Sequence, residues 1–128
     1  MTTTPRSPEA LVALLAGAGV AHLARPQLFD PMVPASLPGS ARRWTLGSGV
    51  AELGCAALLA VRRTRRLGAL SSAALFVGVF PANVSMALRS RGSSRGARIA
   101  VWSRLPLQVP LVVWALRLSA HREPRPRA

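Results

Sequence analysis

Glu52 and Arg104 are the two opposite charges that fall inside the long apolar stretches of this 128-residue chain, and Gln108 follows Arg104 one helical turn later. A carboxylate and a guanidinium in a medium that solvates neither must pair or reach water. Paired, they give an arginine that can donate to an anion or a carbonyl and a glutamate that fixes its position or takes up a proton. His22 and Asn83 are the polar residues of the two remaining stretches. His22, Glu52, Asn83, Arg104 and Gln108 are therefore the candidate ligand-binding set. It offers no catalytic nucleophile and no metal cluster.

The placement of charge defines the elements that must position this set. There is no charge between Ala10 and Ala21, only Glu52 between Thr45 and Val61, none between Leu67 and Leu88, and only Arg104 between Ile99 and Leu116. A water-exposed amphipathic helix would show charge every three or four residues. At about 1.5 Å per residue these stretches with their flanks reach roughly 25–33 Å, the thickness of a bilayer's hydrocarbon core. The expectation is an all-α fold, a bundle of four transmembrane helices over 8–24, 45–61, 67–88 and 99–118, in one domain over 1–118. Residues 119–128 read as a basic disordered tail. A competing reading of the first helix is a cleaved signal peptide with Arg6 as its basic start and Gly19-Val20-Ala21 at the cleavage site, but Glu9 spoils the positive region.

All seventeen basic residues are arginines, against four acids, for a formal charge of +13. Such a charge suggests nucleic acid or an anionic surface. Here the arginines lie in short loops and tails, so no folded surface carries a stripe of them, and nucleic acid is set aside in favour of the lipid bilayer and other membrane proteins. Four spans put the N-terminus, the 62–66 loop and the C-terminus on one side, A, and the other two loops on side B. Eight arginines outside the spans fall on side A and seven on side B. The dense RRTRR loop assigns side A, with both termini, to the cytoplasm.

Measured from side B at about 1.5 Å per residue, His22, Glu52, Asn83 and Arg104 lie roughly 3, 10, 8 and 8 Å deep. All four helices thus place their polar residue in the same half of the membrane, and Glu52 and Arg104 are expected to be counter-ions. An arginine at mid-span costs about 2.5–3.5 kcal/mol, while the Leu, Ile and Val residues of the fourth stretch return roughly 3–6, so that helix inserts either way. Alternatively Arg104 snorkels to the interface and the helix starts at Pro106, which leaves 106–118 short for a span. Pro81, Pro106 and Pro110 predict kinks in helices 3 and 4 whose freed carbonyls Ser103 or a neighbour must satisfy. Small residues at four-residue spacing, Ala13, Gly17 and Ala21 in helix 1 and Gly47, Ala51 and Cys55 in helix 2, predict close helix contacts. Trp44, Trp102 and Trp114 fall near span ends and read as interfacial anchors. His22 alone reads as an interfacial histidine bonded to a loop carbonyl, and the single Cys55 as a packing residue.

Read in order, GVAHLARPQLFDPMVPASLPG, GSGVAELGCAALL followed by RTRRLGAL, LFVGVFPANVSMAL and RLPLQVPLVVWAL cover residues 19–116. This succession resembles the DoxX-like family of small four-helix bacterial membrane proteins. The resemblance implies a four-helix membrane bundle and places His22, Pro26, Glu52, Pro81, Asn83, Arg104, Pro106 and Gln108 in a recurring pattern. The family takes its name from a small subunit of a thiosulfate:quinone oxidoreductase, which raises quinone as a ligand. The chain lacks a CxxC, so dithiol exchange with quinone within one chain is excluded. With His22 the only histidine in a span and His121 on the opposite side, a bis-histidine haem is excluded too. Three functions are expected in this order: a non-catalytic or accessory membrane subunit, such as one of a quinone-linked redox system, whose polar cluster takes a small ligand or a partner; a small transporter or proton-linked carrier in which Glu52 titrates; and a structural scaffold.

Overall fold

The computed structural model describes residues 8–120, which form four main helices and no strand. α1 spans Glu9–Ala24 and ends where Arg25 leaves helical geometry (φ −134°, ψ 60°) ahead of Pro26, whose ring disfavours a helical residue before it. The chain then bends by 97° into two 3-10 turns, Pro26–Leu28 and Asp30–Met32. The first opens on Pro26 and the second carries Pro31 at its second residue, positions where a missing N–H costs little. Gly39 takes a positive φ of 84°, open to glycine without a Cβ penalty. It delivers Ser40 in an extended conformation, and the Ser40 hydroxyl accepts from the Arg43 N–H at 3.3 Å to start α2, Ala41–Ala60.

A single 3-10 turn, Arg62–Thr64, joins α2 to α3, Arg65–Arg89. The last carbonyls of a helix lack internal donors. Here Thr64 Oγ1 donates to the Leu58 carbonyl at 2.8 Å and Arg65 Nε to that of Leu59 at 3.0 Å, so the tight turn also caps α2. After the turn Ser90–Gly92, Ser94 accepts from the Ala97 N–H at 3.3 Å and begins α4, Arg95–Ala120. α3 runs unbroken through Pro81, and α4 through Pro106 and Pro110. Ser103 turns its hydroxyl to the Ala100 carbonyl, at 2.9 Å. The tail expected from 119 is helical to Ala120, and 121–128 lie outside the described residues.

α1 packs on α2, α2 on α3 and α3 on α4. One apolar core joins them: Leu11 and Leu15 of α1, Cys55, Ala56 and Leu59 of α2, Ala69, Ala73 and Phe76 of α3, and Ala115 and Leu118 of α4. Every one of these lies toward the end of the bundle where α2 turns into α3, which is side A. Trp114 packs against this core with its indole N–H buried and unpartnered, which corrects its expected role as an interfacial anchor.

The close crossings also differ from those expected. A Cβ on Gly17 or Gly47 would meet nothing within 4 Å, whereas one on Gly19 would lie 2.8 Å from Leu53 Cγ and 2.9 Å from the Gly49 carbonyl oxygen. One on Gly68 would lie 2.6 Å from the Leu59 nitrogen. Glycine is thus required where α1 crosses α2, one face away from the stripe predicted for helices 1 and 2, and at Gly68, one of the small residues that sequence reading also finds in helix 3, where α3 meets the end of α2.

Outward faces are apolar: Val50 and Val109 are each 62% exposed, and Ile99 61%. Arg62–Gly92 and Arg95–Ala120 are long and apolar enough to cross a membrane. α1 reaches that standard only together with the bent segment Pro26–Met32, and α2 does not reach it. By length and composition two helices, or three if the bent pair is one span, are therefore candidate membrane crossings, where the sequence reading expects four. Arg42, Arg43 and Glu52 lower the mean hydropathy of α2, a cost that reading the 45–61 stretch without its arginine-bearing first turn had hidden.

Candidate functional site

The close approach at Gly19 and Gly49 brings the first two candidate residues together. His22 Nδ1 lies 2.9 Å from Glu52 Oε2 and 2.7 Å from the Ala18 carbonyl oxygen of its own helix. A carbonyl oxygen can only accept, so Nδ1 carries the hydrogen. That hydrogen points to Ala18, and Glu52 Oε2 lies beside it without an aligned hydrogen bond of its own. Nε2 is the ring nitrogen that neither Ala18 nor Glu52 engages. Both side chains are largely shielded, at 16% and 14% exposed. Phe29, from the turn after α1, stacks on the imidazole with ring centroids 3.9 Å apart and planes 26° from parallel. A Cβ on Gly49 would lie 2.9 Å from His22 Cβ, so the pair depends on that glycine.

The second contact joins α3 to α4. Asn83 Nδ2 donates to Gln108 Oε1 at 3.1 Å, and Gln108 Nε2 donates to the Phe76 carbonyl. Pro81 cannot supply the N–H that would bond the adjacent Val77 carbonyl, so this turn of α3 is loosened. Gln108 ties it from outside.

Arg104 belongs to neither contact. It is exposed, and its Nη1 approaches the Met32 sulfur at 3.5 Å. The expected Glu52–Arg104 pair is corrected accordingly: Glu52 faces α1 and meets His22, while α4 packs on α3. Equal depth says nothing about which face of a helix a side chain occupies, and the five candidates separate into His22 with Glu52, Asn83 with Gln108, and Arg104 alone.

The chain from 26 to 40 forms a strap across side B. Arg42 Nε donates to Asp30 Oδ2 at 2.9 Å, Arg89 Nη2 to the Val33 carbonyl at 3.5 Å, and Trp44 Nε1 to the Pro38 carbonyl at 2.7 Å. The Thr45 hydroxyl beside Asp30 holds its carboxyl below the ordinary aspartate value, Arg42 adds to this, and burial opposes it. With Arg104 on Met32, the strap is fastened to α2, α3 and α4. Phe29, Asp30, Met32 and Thr45 were missed as participants. Asp30 and Arg42, an acid and a base at the two ends of one proline-rich connection, were the available signal.

Four sequentially packed helices, two polar contacts each confined to one helix pair, and a strap over one end define a small all-α bundle with two or three candidate membrane-crossing helices. Residues 11–119 match the family described as a domain of unknown function (DUF8561), and the chain belongs to that family. No curated protein and no solved structure matches it.

Proposed function

We propose that the chain is a four-span, DoxX-like protein of the cell membrane, with both termini cytoplasmic, acting as an accessory subunit whose His22–Glu52 pair exchanges protons with a small quinone-type ligand. The observation that carries this reading is the 2.9 Å contact between His22 Nδ1 and Glu52 Oε2. With the Nδ1 hydrogen held by the Ala18 carbonyl and Glu52 beside it, Nε2 is the position that takes a proton from, or returns one to, a ligand oxygen. Converting a quinone to a quinol takes two electrons and two protons. A redox partner supplies the two electrons, since this chain has no dithiol, and the pair passes the two protons one after the other, each replaced from water. The fourth span is supported by the same contact: α2 carries its acid against His22 inside a hairpin, with Val50 outward, and Arg42 and Arg43 at its interfacial end.

Binding of a short-chain ubiquinone analogue to the protein in nanodiscs tests the reading. Saturable binding that weakens at least about tenfold in Glu52→Gln, the size of effect a neighbouring opposite charge has on a proton equilibrium, is expected. Affinity unchanged by that substitution, or no binding, rejects it. A second reading, a proton-linked carrier, is favoured by the titratable pair lying beneath a strap rather than open to solvent. Proton flux in proteoliposomes that disappears in Glu52→Gln would select it. A protein that neither binds nor carries is left as a scaffold.

A further inference from the structure

A groove of about 280 Å³ runs between α3 and α4, lined by Val77, Phe80, Gln108, Val109, Val112 and Val113. It is distinct from the His22–Glu52 pair, which lies between α1 and α2. At the helical period, Arg95, Arg98, Trp102, Val109, Val112 and Val113 share one face of α4. Arg98 and Val109 are three turns apart, about 16 Å at about 1.5 Å per residue. The face therefore runs from two exposed guanidinium groups at side B, past the half-exposed Trp102 ring, into an apolar channel. Among the described residues neither Arg95 nor Arg98 meets a carboxylate. Arg104 points the other way, to Met32.

We propose that this face is a binding site for one anionic phospholipid, its phosphate between Arg95 and Arg98 and an acyl chain in the Val77–Phe80–Val109–Val113 channel. The inference rests on α3 and α4 crossing a bilayer. Charge complementarity selects the occupant. A second copy of this chain would bring its own Arg95 and Arg98 and no acid to the same face, whereas a phosphodiester supplies the missing anion and a hydrocarbon tail of the right shape. Trp102 sits between the two, where an indole favours the boundary of headgroup and chain.

Trp102 is also the reporter. In the Trp44→Phe, Trp114→Phe background, reconstituted into phosphatidylcholine vesicles, its fluorescence is titrated with phosphatidylglycerol or phosphatidylcholine carrying brominated chains. Preferential quenching by the anionic lipid is expected, falling about fivefold in Arg98→Gln, the contribution of one arginine near an anionic surface. The preference should survive millimolar inorganic phosphate, which separates a lipid from a free anion, and Val109→Phe should reduce it by filling the channel. Equal quenching by both lipids, or a preference unmoved by Arg98→Gln, overturns the site while leaving the span intact. Loss of the preference in phosphate overturns the lipid in favour of a soluble anion. Quenching by neither lipid overturns the span and the site together, as does a Trp102 shielded in a dimer that Val109→Phe dissociates.

Discussion

At the residue scale, the decisive feature is which glycines lack room for a Cβ. Gly19 and Gly49 touch across α1 and α2, and His22 and Glu52 follow from that contact within one turn. Gly49→Ala should destabilise the protein by about 1–3 kcal/mol, as overpacked interiors do, and should displace His22 as seen in its imidazole resonances. Gly17→Ala and Gly47→Ala face open space and should be neutral or stabilising by about 0.5 kcal/mol. Reversible unfolding in mixed micelles separates the two cases, and equal costs would place the helix crossing elsewhere. Asp30 gives a pH dependence. Its carboxyl titrates below the ordinary value of 3.8, through Thr45 first and Arg42 second. A depressed carboxylate contributes stability above its unfolded value that is lost as the pH falls through its folded one. The strap should therefore be fully fastened at neutral pH and loosen only below about pH 4. Hydrogen exchange of the 28–37 amides should show this step in the native chain and lose it in Asp30→Asn.

At the element scale, helix existence was legible and helix faces were not. The stretches 8–24 and 67–88 lie within a few residues of Glu9–Ala24 and Arg65–Arg89, since hydropathy marks long apolar runs directly. α2 and α4 each begin four residues earlier than read, at Ala41 and Arg95. Both starts hold arginines that hydropathy discounts, yet Ser40 and Ser94 are recognisable caps. A common depth was read for His22, Glu52, Asn83 and Arg104 because depth is a count of residues. Their pairing was not, because it depends on which helices are neighbours. Arg104 shows this most plainly: it stands near Glu52 in depth and meets the Met32 sulfur of the strap instead. For the α3/α4 contact, Gln108→Leu strips Asn83 and the Phe76 carbonyl of a partner and should cost about 0.5–1.5 kcal/mol, the range for polar contacts between membrane helices. Asn83→Leu combined with it should recover part of that loss, because no stranded amide remains on α3.

At the scale of the whole molecule, the bundle is asymmetric along its axis. Its apolar core lies toward side A, and its polar contacts and strap lie toward side B. This asymmetry makes topology a direct prediction. In a Cys55→Ala background, single cysteines at positions 36 and 93 should react with an impermeant thiol reagent from one face of the membrane, and one at 63 only from the other. Labelling of all three from the same face would leave α2 and α3 without an even crossing and would reduce the spans below four.

The pairing of Glu52 is best measured by double-mutant cycles on folding stability in bicelles, comparing His22→Asn with Glu52→Gln and Arg104→Gln with Glu52→Gln. Side chains in contact couple, and distant ones add. His22 and Glu52 should couple by about 1–2 kcal/mol, with Arg104 and Glu52 additive. Coupling of Glu52 to Arg104, with His22 additive, would contradict the assignment of the pair to the α1/α2 hairpin.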